Sequence, residues 1–223
     1  MKYNIKKGEE NMSSSELKLK SKDQLQGKKG NAAIVVLVYF LVAAVINLIF
    51  SRLFPGKTTV YEGIEITSPS TVASIVDRFV TIFLGLGLTS YYMKIVRGEE
   101  VSIGDLFSKG NLLLKAFVTS ILTGLVVFGG SLLLVIPGII LAFGYTMINY
   151  VYIDNPEIGI IEVMKKSREM MKGYKWDYFV FNLSFIGWVI LLPFTLCILA
   201  VWLVPYMTVA EAIYYDRLKA KAK

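Results

Sequence analysis

The residue types that most often carry chemistry are scarce in this chain. Histidine is absent from its 223 residues, and cysteine occurs once, at Cys197. That excludes histidine-assisted serine or cysteine proteolysis, the usual zinc sites and multi-cysteine iron–sulfur ligation. It also excludes a disulfide framework within one chain. What remains is a short set of polar side chains in or beside apolar runs: Asp77-Arg78, the adjacent carboxylates Glu99-Glu100, and Asn47, Asn149 and Asn182. A charge at the bilayer centre costs roughly 2.5–3.5 kcal/mol on insertion scales. Asp77 and Arg78 are therefore expected at an interface as a local pair, with an intramembrane functional pair as the alternative. Asn149 and Asn182 are expected to bond a neighbouring helix, each contributing on the order of 0.6 kcal/mol. Trp188 and Tyr206 read as packing residues. No catalytic, cofactor-binding or metal-binding residue is assigned.

The elements around these residues are apolar and long. The chain is 55% hydrophobic with a mean hydropathy of +0.57. The excess lies in continuous runs and does not alternate at period two, which argues for helices rather than a membrane β-barrel. Ala116 to Tyr152 contains no charged residue. As one helix rising 1.5 Å per residue it would be nearly twice as long as the roughly 30 Å hydrocarbon core is thick. It must turn back, and Ile136-Pro137-Gly138 marks the break. A second long run opens at Trp176 and ends near Tyr215, with its turn expected at Pro193 to Cys197 and a kink at Pro205. The expected fold class is all-α: a polytopic helical membrane protein with six transmembrane helices, two tight hairpins and an interfacial amphipathic helix. The spans are placed at about 32–50, 72–96, 116–135, 138–153, 177–194 and 198–216, within a membrane domain of 32–217. Ala116, Ser120 and Gly124 on one arm of the first hairpin, and Gly138, Ala142 and Thr146 on the other, form stripes that allow close helix approach.

Between the runs lie polar segments. Residues 1–31 form a lysine-rich tail in which Ser15 is a candidate cap for a short helix carrying Leu17, Ser21 and Leu25 on one face. That face is expected either to rest on the membrane surface or to stay disordered. Residues 52–71 form the one sizeable external loop, with a β-prone patch at Val60-Tyr61. Ser102-Ile103-Gly104-Asp105 has capping-box spacing ahead of a short surface helix that Gly110 would end. Asp154-Asn155-Pro156-Glu157 reads as a helix start, and the helix over 157–172 stops at Gly173. Ile160, Ile161, Met164, Met170 and Met171 lie on one side of it, and Glu162, Lys165, Lys166, Glu169 and Lys172 on the other. It is expected at the cytoplasmic interface on anionic lipid, with a cytosolic helix packed on the other loops as the alternative. Trp176 and Tyr178 suit an interfacial aromatic belt. Basic residues gather in the tail, in 94–115, in 165–175 and at the C-terminus, so the formal charge of +7 is read as topological bias and not as a nucleic-acid footprint. Both termini are expected in the cytoplasm. The two long runs also share one offset, Phe117-Val118 with Phe179-Val180 and Tyr152-x-Asp154 with Tyr214-x-Asp216, a sign of internal duplication.

Several motifs together resemble a known family. They are Ser167-x-x-Met170-Met171-Lys172-Gly173, Leu183-Ser184-Phe185-Ile186-Gly187-Trp188, Pro205-Tyr206, Glu16-Leu17-Lys18, Leu25-x-Gly27, Ile136-Pro137-Gly138 and Asp154-Asn155-Pro156. In these the chain resembles the bacterial membrane proteins grouped as domain of unknown function 975, from Met12 onward. Cys197 departs from the glycine expected in the last turn. The resemblance implies a multipass protein of mainly Gram-positive bacteria, with no established activity, cofactor or catalytic residue to carry over. The chain is also similar to membrane domains attached to some glycerophosphodiester phosphodiesterases. Glu99-Glu100 is similar to the paired glutamates of membrane CAAX-type proteases, which also need histidines.

The expected function is that of an integral protein of the bacterial cytoplasmic membrane without a catalytic site: an accessory, scaffold or envelope-protection factor. The alternative is a small transporter or channel for a lipid-like or amphiphilic substrate, using Asn47, Asn149 and Asn182. The lack of ionisable residues between Phe79 and Lys94 and through the hairpins is taken to argue against a proton-coupled pump. Expected partners are the bilayer, anionic lipid at the cytoplasmic face, and other membrane proteins or a second copy. Translation is expected to start at Met12, because Lys7-Gly8-Glu9-Glu10-Asn11 would encode a ribosome-binding sequence just upstream in an A-rich genome.

Overall fold

The computed structural model describes residues 12–61, 64–195 and 198–221. The expected start at Met12 concerns residues 1–11, which lie outside the described residues, as does Cys197 in the last turn. The chain is predominantly helical, with one two-stranded hairpin among the described residues. Among the described residues, five helical stretches are long and apolar enough to cross a membrane: Lys29–Leu53, Thr71–Val96, Ile103–Leu132, Val135–Asp154 and Lys175–Thr195.

Burial divides the molecule into two ends. In α2 (Lys29–Leu53), Ala32, Ala33, Val35 and Val36 are buried, whereas Leu37, Leu41, Leu48 and Leu53 are exposed. In α3 (Thr71–Val96) the buried residues gather between Leu84 and Val96; near its start Ala73 is buried but Val72 and Ile75 are exposed. The exposed apolar ends form a surface suited to hydrocarbon rather than water. The buried ends meet in a core rich in tyrosine, with Tyr91, Tyr92, Tyr152, Tyr214 and Tyr215 among its largest fully buried side chains. Each phenol there needs a partner. Tyr92 donates to the Ala32 carbonyl at 2.9 Å, and Tyr152 shares a 2.7 Å hydrogen bond with Thr119.

The polar N-terminal segment is built into this core. Helix α1 (Ser14–Gln24) is capped by Ser13, not by Ser15: its hydroxyl accepts from the Glu16 N–H, and the Glu16 carboxylate accepts from the Ser13 N–H at 2.6 Å. Those Ser13 contacts hold the Glu16 carboxyl below its ordinary pKa. The stabilisation is present above the usual glutamate value and lost as pH falls through the lowered one. Leu17, Ser21 and Leu25 do share a face, but it is buried against the protein instead of resting on lipid or staying disordered. Ser21 satisfies its hydroxyl on the Leu17 carbonyl, and Gly27 turns the chain into α2 at φ +74°, a conformation that favours glycine. Ser13→Ala is expected to speed hydrogen exchange in residues 17–24 about fivefold, the equivalent of a ~1 kcal/mol cap. Unchanged exchange would show that docking alone holds α1.

Strands β1 (Lys57–Tyr61) and β2 (Ile64–Ser68) pair antiparallel, Lys57 opposite Ser68 and Tyr61 opposite Ile64, where the sequence showed only a β-prone patch. A 3-10 turn over Ile103–Phe107 packs on α3 and is capped by Ser102 in the expected capping box: the Ser102 N–H donates to Asp105, which also pairs with Lys94. Gly110 opens a second 3-10 turn, Gly110–Leu112, and does not simply end the first.

Helix α4 (Leu113–Leu133) ends in the extended residue Leu134, and α5 (Val135–Gly144) begins at once, with Pro137 in its first turn. The two helices fold back on each other. Their close contact lies next to the turn, at Gly130 and Ser131 against Gly138 and Leu141. Gly124, in the expected stripe, has open space around it. The packing follows the turn because the two helices are held nearest where they are joined.

The chain continues as α6 (Ile148–Asp154) and α7 (Ile160–Met170). Asp154 therefore ends a helix and does not cap the next one, whose N-cap is Gly159. Asn155 turns back to the Val151 carbonyl at 3.2 Å. Val163, Met164, Ser167 and Met170 of α7 are buried, as is Met171 just after it, and Ser167 donates to the Gly144 carbonyl at 2.9 Å. Its apolar face thus packs on protein, while Lys165, Lys166 and Glu169 stay exposed and Ile161 joins them. Helices α8 (Lys175–Leu183) and α9 (Ile186–Leu191) lead through a 3-10 turn at Pro193–Thr195 towards α10 (Ala200–Lys221), which continues past Pro205. Trp176 is exposed as an interfacial residue would be, but Tyr178 is buried.

Candidate functional site

Three chain segments converge on Arg97. The residue follows α3 directly, and its guanidinium faces the end of α6 and the last turns of α10. It donates to both Asp154 oxygens at 2.6 and 3.2 Å, and to both Asp216 oxygens at 2.8 and 3.4 Å. Planar, fork-shaped donors match two carboxylates in this way, which a lysine could not do. Tyr215 adds a 2.9 Å bond to Asp154, and Lys219 also pairs with Asp154. The arginine side chain is 18% exposed and the aspartates 7% and 8%. Burial works against the Arg97 charge, but the two aspartates outweigh it and raise its pKa further. Two cations and two anions close the cluster without net charge.

The two aspartates are the pair that the internal offset relates. Tyr152-x-Asp154 ends α6 and Tyr214-x-Asp216 lies in α10, so equivalent positions of the two long runs share one arginine. The sequence pattern pointed at these aspartates without showing that they meet. Arg97 carried no signal beyond its place after a span.

One turn before Tyr215, Glu211 stands between two tyrosines. Tyr150 donates to one oxygen at 3.1 Å and Tyr178 approaches the other at 3.4 Å. Tyr150 also stacks on Tyr215, with ring centroids 5.3 Å apart, so the two polar groups form one buried column. Glu211 corrects the sequence reading, which treated the run to Tyr215 as free of ionisable groups. The signal was available: Glu211 is the one carboxylate between Trp202 and Tyr215.

The residues singled out from sequence are mostly elsewhere. Asp77 does not pair with Arg78; its carboxylate lies 3.4 Å from the Asn47 amide, linking α2 with α3. Asn182 bonds the Tyr178 carbonyl in its own helix at 2.8 Å and not a neighbouring helix. Asn149 lines a cavity of about 370 Å³ with Tyr39, Thr81, Thr119, Ser120 and Thr123. The Thr123 hydroxyl there is buried without a partner among the described residues. Glu99 and Glu100 are exposed in the loop after α3. Tyr206 packs edge-on against Phe185, 5.4 Å between centroids, and Trp188 is half-exposed. Among the described residues no group of three or more His, Cys, Asp or Glu side chains is placed to hold a metal ion.

A family model described as Protein of unknown function (DUF975) matches residues 12–137 and 130–222. The chain belongs to that family. The blocks that carried the resemblance to it sit at structural junctions: Ser184-Phe185 at the break between α8 and α9, Ile136-Pro137-Gly138 in the first turns of α5, and Asp154 at the Arg97 cluster. No curated protein and no solved structure matches the chain.

Proposed function

We propose that this member of the DUF975 family is a non-enzymatic integral protein of the bacterial cytoplasmic membrane, an accessory, scaffold or envelope-protection factor with both termini on the cytoplasmic side. The observation that carries this reading is the Arg97 cluster. Its charges are spent on one another where α3, α6 and α10 meet, as expected of a device that locks helices in place. The distribution of lysine and arginine supports the orientation, because the packed end of the molecule carries α1, the 94–115 segment, α7 and the end of α10. Six crossings follow from the apolar runs; the orientation itself requires only an even number. Reporter fusions at Gly63 and near Ile136 are expected to read outside, and fusions at Lys109, Lys172 and Lys223 inside. An outside reading at Lys172 overturns the orientation.

A second reading, passage of a lipid-like or amphiphilic substrate, is favoured by the cavity beside Asn149. Its hydroxyl-rich wall would suit the polar part of such a molecule, and the orphaned Thr123 hydroxyl offers it a bond. The purified protein in vesicles separates the two. The accessory role predicts that fluorescent phospholipid crosses no faster than in empty vesicles. Acceleration that falls with Asn149→Ala and Thr123→Val would replace it with transport.

A further inference from the structure

A cleft of about 320 Å³ lies where α1, the start of α2 and the beginning of α10 meet. Lys22 and Lys29 stand at it, and Trp188, Leu199, Trp202 and Tyr206 are among its apolar walls. We propose that this cleft binds one anionic phospholipid of the cytoplasmic leaflet, its phosphate on the two lysines and an acyl chain between the tryptophans. The site rests on the orientation given above, and not on the accessory role.

Charge and shape select this occupant. Both lysines are exposed, and neither forms an ion pair among the described residues. Lys22 instead reaches over the Tyr206 ring, 6.0 Å from its centroid. Helix α2 starts at Lys29 with no acid in its first turn and no side-chain cap, so the positive end of its dipole adds to the two ammonium groups. An anion is therefore drawn to this end of the cleft. A free phosphate would satisfy that end and leave Trp188 and Trp202, about half-exposed each, without a partner. A lipid fills both ends.

The depth of the last hairpin also fits. The Lys18 ammonium donates to the Ser184 carbonyl and lies 4.4 Å from the Phe185 ring centroid, which fixes the α8–α9 break at the height of polar α1. From that break to Thr195 about 12 residues at 1.5 Å each reach roughly 18 Å. A full crossing needs about 30 Å. Leu199, just past the turn, lines the same cleft as Lys22 and Lys29. The hairpin thus dips into the leaflet from which it starts, and the tryptophans stand at acyl depth beneath the lysines. This replaces the last two of the six expected crossings by a re-entrant segment and leaves both termini on one side.

The test uses the full chain with Trp176→Phe, so that Trp188 and Trp202 report. It is placed in neutral vesicles doped with phosphatidylglycerol or phosphatidylcholine carrying brominated acyl chains. Phosphatidylglycerol is expected to quench at about 25-fold lower mole fraction, and each of Lys22→Gln and Lys29→Gln to weaken that preference about fivefold. Equal quenching by the two lipids overturns the proposal and leaves the cleft to a protein segment. A preference untouched in the double variant overturns it as well. Inorganic phosphate that abolishes the preference at millimolar concentration would make it a phosphate site instead. Depth and orientation are read separately with an impermeant thiol reagent in a Cys197→Ser background. Leu134→Cys should label from outside and Phe194→Cys should not. Labelling of Phe194 means that the hairpin crosses and sinks the site's geometry; failure at Leu134 alone sinks the orientation.

Discussion

Arg97→Met is expected to destabilise the protein by about 3–5 kcal/mol, the range for removing one partner of a buried ion pair. The substitution leaves Asp154 and Asp216 facing each other across the space the guanidinium filled, with only Tyr215 and Lys219 still on Asp154. Lys219 is 45% exposed and so screened by solvent that its pairing offsets little of this. Thermal unfolding of the detergent-solubilised protein reads the loss. The companion variant, Arg97→Met with Asp154→Asn and Asp216→Asn, removes the uncompensated charges and should recover at least half of it, because a neutral replacement of similar volume is often tolerated. An Arg97→Met protein as stable as the parent would mean that water reaches the aspartates, and the cluster would then be a solvated site instead of a lock.

Gly87→Ala is the second large effect. A Cβ at that position would lie 1.8 Å from the Leu106 carbonyl oxygen, so the Ile103–Phe107 turn could not stay on α3. Overpacking of this kind costs about 1–3 kcal/mol when side chains can yield, and backbone yields less. The internal control is two residues away. Gly85 has nothing within 4 Å of its missing Cβ, so Gly85→Ala should be neutral or stabilise the helix by up to about 1 kcal/mol. Equal effects at the two positions would show that the turn is not held by close approach.

Much of this architecture was legible because helices of a membrane protein announce themselves by composition. Apolar length located α2 to α5, and proline with glycine located the turn at Leu134 to within a few residues. The reading failed where a local signal competed with a distant partner. Asp154-Asn155-Pro156 has the grammar of a helix start, yet the Asp154 carboxylate is claimed by Arg97, so the preceding helix keeps it. Ser21 and Leu25 looked too weakly apolar to dock, but Ser21 pays its hydrogen bond inside its own helix and can be buried. Glu211 was passed over because its neighbours are apolar; its tyrosine partners come from α6 and α8, and no spacing rule connects them. The last hairpin qualifies as a span over 175–195 by length and hydropathy, and the shallower placement proposed above rests on the contact of Lys18 with Ser184, which no local pattern encodes.

The shared arginine has an evolutionary consequence. If the two long runs descend from one ancestral hairpin, the aspartates at 154 and 216 were once free to drift apart as independent copies. A single guanidinium now answers to both, so a change at either alters the cost of a change at the other, and losing both strands a buried cation. Such epistasis ties the halves of the chain together in sequence space. Lineages that abandon one aspartate should keep the other, or give up Arg97 with both.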